Sequence, residues 1–211
     1  MPVIPFYGSV RPDIFAIERS AMDRSRRVVH ALDHLLPRRG RLLDIGAGDG
    51  FLAHELSAPG RIVVPLEPDP GMIPRFRSLN WIRGEAEALP FSSASFDGAY
   101  ATWAYFFPSR YSIEAAVHEA ERVLGPGGLL AIVNNLGGDE FCKLSPSNIT
   151  EAVGPFLELG FSLDVIDTWF EFDSVEQAQT LLGFYFGASG RNGAKIKLSY
   201  RVGLYRKCMA A

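Results

Sequence analysis

Cysteine is nearly absent: Cys142 and Cys208 are the only two in 211 residues. Two thiols cannot build a disulfide framework, which fits a reducing compartment. An excess of one charge is missing as well. Twenty-one Lys and Arg stand against 24 Asp and Glu, leaving a formal net charge of −3 and a pI near 5.8. No global basic field exists to attract nucleic acid or an anionic membrane, so neither is expected as a partner. The local exception is a basic region made by Arg24, Arg26, Arg27, Arg38, Arg39 and Arg41. The longest apolar run, 129–133, is far too short to cross a bilayer. The N-terminal residues lack a charged segment followed by a long apolar core, so no secretory signal is read there. A cytoplasmic protein is the expectation.

Several motifs are incomplete in ways that also exclude. His30 and His34 stand four apart on a helical stretch, but Ala31 occupies the place where a zinc-protease pattern needs Glu. No third ligand is near in sequence, so no metal is expected. A dinucleotide fingerprint needs a third glycine where Phe51 stands, and the Lys-Ser/Thr of a phosphate-binding loop is missing after Gly46. The stretch 187–190 lacks the spacing of a nucleophile elbow.

What is present begins at 41–50, Arg-Leu-Leu-Asp-Ile-Gly-Ala-Gly-Asp-Gly. Residues 41–45 read as a buried strand, Gly46, Gly48 and Gly50 follow at alternate positions, and helical spacing resumes over 51–56. Such a turn takes backbone angles closed to other residues and lets a ligand approach without meeting a Cβ. The helix start behind it presents unpaired N–H groups and the positive end of its dipole. Asp44 adds a carboxylate at the strand's carboxyl end, where ligands of open α/β sheets bind. A second strand, 61–66, ends in Glu67-Pro68-Asp69. Glu67 lies 17 residues beyond Gly50, where a βαβ unit places an acid that accepts hydrogen bonds from ribose hydroxyls. Dinucleotide enzymes share the device, so it supports a ribose without choosing the cofactor.

The remaining chain reads as alternating elements. Residues 1–17, with Pro2, Pro5 and Pro12, read as an irregular arm, and 18–36 as one helix ended by Pro37. A short helix is expected over 70–79, opened by Pro70, and a brief third strand over 81–84. A strand over 95–102, a helix over 113–124 and a strand over 129–133 follow. Next come a helix over 145–159, a strand over 161–172, a helix over 175–186 and a last strand over 198–206. The gap before that strand carries Gly183, Gly187, Gly190 and Gly193 and reads as a mobile lid. Five strand–helix alternations argue a parallel sheet covered on both faces.

One further segment is specific. Gly-Glu-Ala-Glu-Ala-Leu-Pro-Phe at 84–91 precedes Ser95-Phe96-Asp97, and Gly-Pro-Gly-Gly at 125–128 precedes the fifth strand. Together with Asp-x-Gly-x-Gly-x-Gly at 44–50, this resembles the class I S-adenosylmethionine-dependent methyltransferases of small-molecule type. That is the methyltransferase-11 group, which includes the ubiquinone-biosynthesis enzymes. The motifs run in register over about residues 30–136.

The resemblance implies an α/β fold with a seven-stranded, mostly parallel, doubly wound sheet whose last strand is antiparallel. From the chain's length one methyltransferase domain is expected over 1–211, with 1–36 as an N-terminal arm and helix that could form a lid and 137–195 as C-terminal elements that could cap the substrate site. S-adenosyl-L-methionine is the implied cofactor. Glu85, where the family usually has Asp, would hold the adenine amino group, and the backbone of Ala86 would reach the ring. The expected cofactor site then comprises Asp44, Gly46, Ala47, Gly48, Asp49, Gly50, Glu67, Pro68, Met72, Glu85, Ala86, Thr102 and Trp103. Trp103, Tyr105 and Phe106 suit a methyl site because aromatic faces attract a sulfonium, although core packing is the other reading. Tyr7 and Asn134 join them as expected substrate contacts.

Methyl transfer from a sulfonium asks mainly for orientation and exclusion of water, so no dedicated catalytic residue is singled out. Asn134-Asn135-Leu136-Gly137 stands where amino-group methyltransferases carry Asn-Pro-Pro-Tyr/Phe, and Cys142 follows Phe141 instead of Pro. A small organic acceptor is favoured. Two other readings stay open at this point: a nicotinamide-dependent oxidoreductase, and a protein that keeps the cofactor fold without turnover.

Overall fold

Strands without polar–apolar alternation are buried on both faces, and here they form the centre of one sheet. The computed structural model describes residues 6–74, 76–104, 113–145 and 153–210. Strands β1 (Gly40–Ile45), β2 (Arg61–Leu66), β3 (Phe96–Thr102) and β4 (Leu124–Asn135) run parallel. β5 (Ser162–Glu171) lies at the far edge. β6 (Lys197–Cys208) sits between β4 and β5, antiparallel to both, giving the order β2-β1-β3-β4-β6-β5. Successive strand residues point to opposite faces, so Leu42 packs in one apolar cluster and Leu43 in the other. The helices are α1 (Tyr7–Val10), α2 (Pro12–Ala21), α3 (Arg27–Leu35), α4 (Phe51–Leu56), α5 (Ile113–Val123), α6 (Val153–Glu158) and α7 (Val175–Asn192).

The doubly wound α/β sheet with an antiparallel last strand matches the expectation, but it has six strands instead of seven. Residues 81–84 contribute a single parallel bridge, Ile82 to Leu66, beyond β2. Ile82 donates its N–H to the Pro65 carbonyl at 2.9 Å and accepts from Glu67 at 3.0 Å. Pro65 has no N–H to extend that ladder, which confines the seventh strand to a bridge.

Three local expectations are corrected. Over its described residues, 6–17, the arm is largely helical, because Pro12 occupies the first turn of α2, where its missing N–H costs nothing. The single helix over 18–36 is two helices, broken where Met22 bridges to Phe170. There the Asp23 carboxylate accepts from the N–H groups of Arg27 (3.0 Å) and Val28 (2.8 Å), so it caps α3. No helix forms over the described residues of 70–79; Gly71 and Met72 donate to Asp69 in a turn, and Pro74 cannot continue a helix. Of the helix expected over 145–159, only α6 falls within the described residues.

The glycine-bearing gap is the continuation of α7. The helix kinks at Gly187 (φ 61°, ψ −130°) and folds back so closely that a Cβ on Gly190 would lie 1.9 Å from the Leu182 carbonyl oxygen. Gly190→Ala is therefore expected to destabilise the protein by roughly 1–3 kcal/mol, the cost of overpacking, read as a lower urea midpoint at unchanged slope.

Candidate active site

Parallel pairing of β2, β1, β3 and β4 brings their carboxyl ends to one edge, where the glycine turn, Asp44, Glu67, Thr102 and Asn134 stand. Gly46 and Ala47 both donate N–H groups to the Leu66 carbonyl (2.9 and 3.0 Å), which ties the glycine turn to the end of β2. Gly46, Gly48 and Gly50 all have φ between 56° and 72°. A Cβ on Gly50 would meet the Trp81 ring at 2.7 Å, so this position requires glycine on both counts.

Glu67 is buried and braces the turn from the neighbouring strand. Its Oε2 accepts from Gly48 N–H at 2.8 Å, and its Oε1 accepts from Asp69 N–H at 2.9 Å. Burial pushes its carboxyl up to about 7, partly offset by those two N–H groups. Asp44 is more deeply buried, at 1% exposure, and neither oxygen has a hydrogen-bond partner of proper geometry. The Tyr100 hydroxyl favours ionisation of Asp44, a smaller effect than burial. Burial pushes Asp44 up to about 7, and the charge of Glu67 acts in the same direction. The Asn134 Oδ1 is a second buried oxygen without a partner at this edge.

The outer parts of the expected set are placed as follows. Pro68 is half-buried and Met72 buried; the Met72 methyl stands 3.8 Å from where a Gly48 Cβ would be. Glu85 and Ala86 are half-buried in the turn that follows the 81–84 segment, where Ala88 donates to the Glu85 carbonyl at 3.2 Å. Thr102 ends β3 opposite Val133. Asp49 is engaged by protein: Arg19 Nη2 lies 2.9 Å and Arg77 Nη2 3.8 Å from its oxygens. Tyr7 is engaged too, since its hydroxyl pairs with Glu18 and with the Tyr185 hydroxyl at 2.7 Å. Tyr105 and Phe106 lie outside the described residues.

Trp103 follows β3 in the left-handed region (φ 54°), costly for a bulky residue. Its N–H donates to the Val133 carbonyl at 2.8 Å, and its indole N–H is shared between Asn135 Oδ1 (3.1 Å) and the Tyr200 hydroxyl (2.8 Å). His30, His34 and His118 are exposed. Among the described residues no group of three His, Cys, Asp or Glu is placed to hold a metal.

Sequence reasoning missed three supports. Arg19 comes from α2, 30 residues before Asp49, and no spacing rule connects them. Asp69 accepts from Phe6 N–H (2.9 Å) and Ser9 Oγ (2.6 Å), so α1 is fastened to the end of β2. Arg122 and Glu119 on α5 hold the Leu-Pro-Phe segment through Leu89 N–H (2.9 Å) and the carbonyls of Leu89 (3.0 Å) and Phe91 (2.8 Å).

A glycine turn opening a helix, an acid at the end of each of the first two strands and a final antiparallel strand together define a class I methyltransferase fold. Residues 43–132 match the model of the methyltransferase-domain family. The biotin biosynthesis bifunctional protein BioHC of Cellvibrio japonicus is 36% identical over 111 residues, 50% of this chain and 22% of that protein. The ubiquinone/menaquinone biosynthesis C-methyltransferase of Paracoccus denitrificans is 35% identical over 115 residues, 48% of this chain and 45% of that one. The chain thus spans less than half the length of these two relatives. A solved S-adenosylmethionine-dependent methyltransferase of Thermotoga maritima, described as a possible histamine N-methyltransferase, superimposes with TM-score 0.60 at 22% identity. That superposition covers 96% of each chain. No helix among the described residues is long and apolar enough to cross a membrane.

Proposed function

We propose that this protein transfers the methyl group of S-adenosylmethionine to a small organic acceptor, and that it does so mainly by positioning. The observation that carries this reading is the pair of buried acids, Asp44 and Glu67, flanking a glycine turn at adjacent strand ends. Buried oxygens without partners are costly, so the Asp44 carboxylate and Asn134 Oδ1 mark places that a polar ligand would satisfy. Asp44 then faces the cationic amino-acid end of the cofactor. Glu67 spends one lone pair of each oxygen on the backbone and keeps the others for ribose hydroxyls. Glu85 and Ala86 take the adenine, and Trp103 walls the methyl site.

When bound, S-adenosylmethionine supplies a methyl group already activated on a sulfonium. The chain's own residues hold the two reactants in line and keep water out. Helices α1 and α2 form the cover, fastened through Asp69 and through Glu18 to Tyr185 on α7 (2.6 Å). A soluble protein of the cytoplasm acting on a small molecule, without nucleic acid, completes the reading.

Calorimetric titration with S-adenosylhomocysteine and with NAD tests it, followed by labelled methyl transfer to a panel of small acceptors. Binding of S-adenosylhomocysteine alone and label on an acceptor are expected. Binding of NAD instead would return the oxidoreductase reading, and tight binding without transfer to any acceptor would leave a cofactor-binding protein.

A further inference from the structure

A cavity of about 180 Å³ opens where the turn between α2 and α3 meets the start of α4 and Trp103. It adjoins the proposed cofactor site, since Phe51 and Leu52 directly follow Gly50 and both line it. Its volume is below the roughly 300–1,000 Å³ of pockets that hold drug-sized ligands, so it suits a small molecule or a small head group. Phe51, Val28 and Trp103 give it apolar walls, and Arg19, Arg24 and Arg26 give it charge.

Among the described residues of that lining the only acid is Asp23, and its carboxylate is already in use. Oδ1 accepts from Arg27 N–H (3.0 Å) and Thr168 Oγ1 (2.6 Å), and Oδ2 accepts from Val28 N–H (2.8 Å). Each of the three arginines has an acidic partner outside the lining: Asp49 for Arg19, Asp173 for Arg24 and Glu55 for Arg26. Those pairs fix the guanidinium groups but use few of the five N–H donors that each carries. The described residues of the lining therefore offer oriented donors without a free carboxylate to match them.

Backbone strain concentrates at the same place. Four non-glycine residues among those described have positive φ, and three of them, Asp23, Arg26 and Trp103, line this cavity. Such conformations cost energy and persist where the surroundings over-determine them, which is common at ligand sites. The Trp103 ring is fixed as well, through its indole N–H to Asn135 and Tyr200.

We infer that this cavity is the acceptor chamber and that it takes a single-ring organic acid, its carboxylate held by Arg19 and Arg26 and its ring beside Trp103. The inference rests on the methyltransferase reading and deepens it by naming the acceptor class. A planar carboxylate matches the guanidinium fork, and a neutral amide of the same shape does not.

The test is a calorimetric titration of the full chain, saturated with S-adenosylhomocysteine, with benzoate, salicylate and phenylacetate and with their amides. At least one acid is expected to bind about tenfold or more tightly than its amide, as a charge-assisted bidentate contact requires. Arg26→Gln is expected to remove that preference while S-adenosylhomocysteine binding stays within about threefold, since this arginine touches no proposed cofactor contact. No acid outbinding its amide, or a preference surviving in both Arg19→Gln and Arg26→Gln, overturns the inference. So does a loss of S-adenosylhomocysteine affinity in Arg19→Gln with acid binding unmoved by either variant, which would give the arginines to the cofactor's own carboxylate. The acid–amide comparison on the unmodified chain decides the matter even if a variant fails to fold. Failure to bind S-adenosylhomocysteine at all is the separate result that overturns the methyltransferase reading itself.

Discussion

Asp44→Asn is expected to raise the melting temperature of the unliganded protein at pH 8 and to weaken S-adenosylhomocysteine binding by about tenfold or more at the same pH. Both effects follow from one buried charge. In the unfolded chain the Asp44 carboxyl ionises near 3.8, whereas in the folded protein burial holds its proton up to about 7. Between those values the folded state binds more protons than the unfolded one, so unfolding free energy falls as pH rises through that window. The gap corresponds to roughly 4 kcal/mol of stability present at pH 4 and lost by pH 8. Glu67 adds to the same trend, from 4.5 to about 7. Asn keeps the shape and carries no charge, so the variant should show a flatter stability profile over pH 4–8.

Ligand binding should run the other way. The cationic amino group of S-adenosylhomocysteine favours an ionised Asp44, so affinity rises from pH 5 to pH 8 and binding releases protons. Titrations in two buffers of different ionisation enthalpy count them. A variant with the parental pH profiles of stability and affinity would remove Asp44 from the cofactor site.

Much of this edge was legible in the chain because its signals are local. The glycine turn, Asp44 and Glu67 sit at strand ends, and an apolar run followed by a turn residue fixes a strand end within a residue or two. The sheet's parallel direction followed from element order, and its antiparallel last strand from the family resemblance. The failures share a different cause. Proline at 12 reads as a breaker until a helix start is placed around it, and glycines 183–193 read as a loop until a helix folds back on itself there. The Arg19–Asp49 pair, the Asp69 fastening of α1 and the Glu119–Arg122 clamp join residues 30 to 63 positions apart. No periodicity carries contacts of that range. The Trp103 network, which reaches Tyr200 across 97 positions, is the extreme case.

Glu67→Ala is expected to weaken S-adenosylhomocysteine binding by roughly 1.5–3 kcal/mol, the range for hydrogen bonds to a charged group. Two effects are mixed in that figure, because Glu67 also receives the N–H groups of Gly48 and Asp69. Losing the acceptor leaves both donors buried and loosens the turn even if no ribose is ever bound. Gln is no conservative control: its single carbonyl can serve only one N–H, and its NH₂ then opposes the other. A ligand-side change separates the roles. The parental protein should bind S-adenosylhomocysteine more tightly than its 2′,3′-dideoxy analogue, and in Glu67→Ala that discrimination should vanish. The coupling energy of this double-mutant cycle isolates the ribose contact from the brace. Equal discrimination in both proteins would leave Glu67 as a support for the glycine turn and place the ribose elsewhere along the edge.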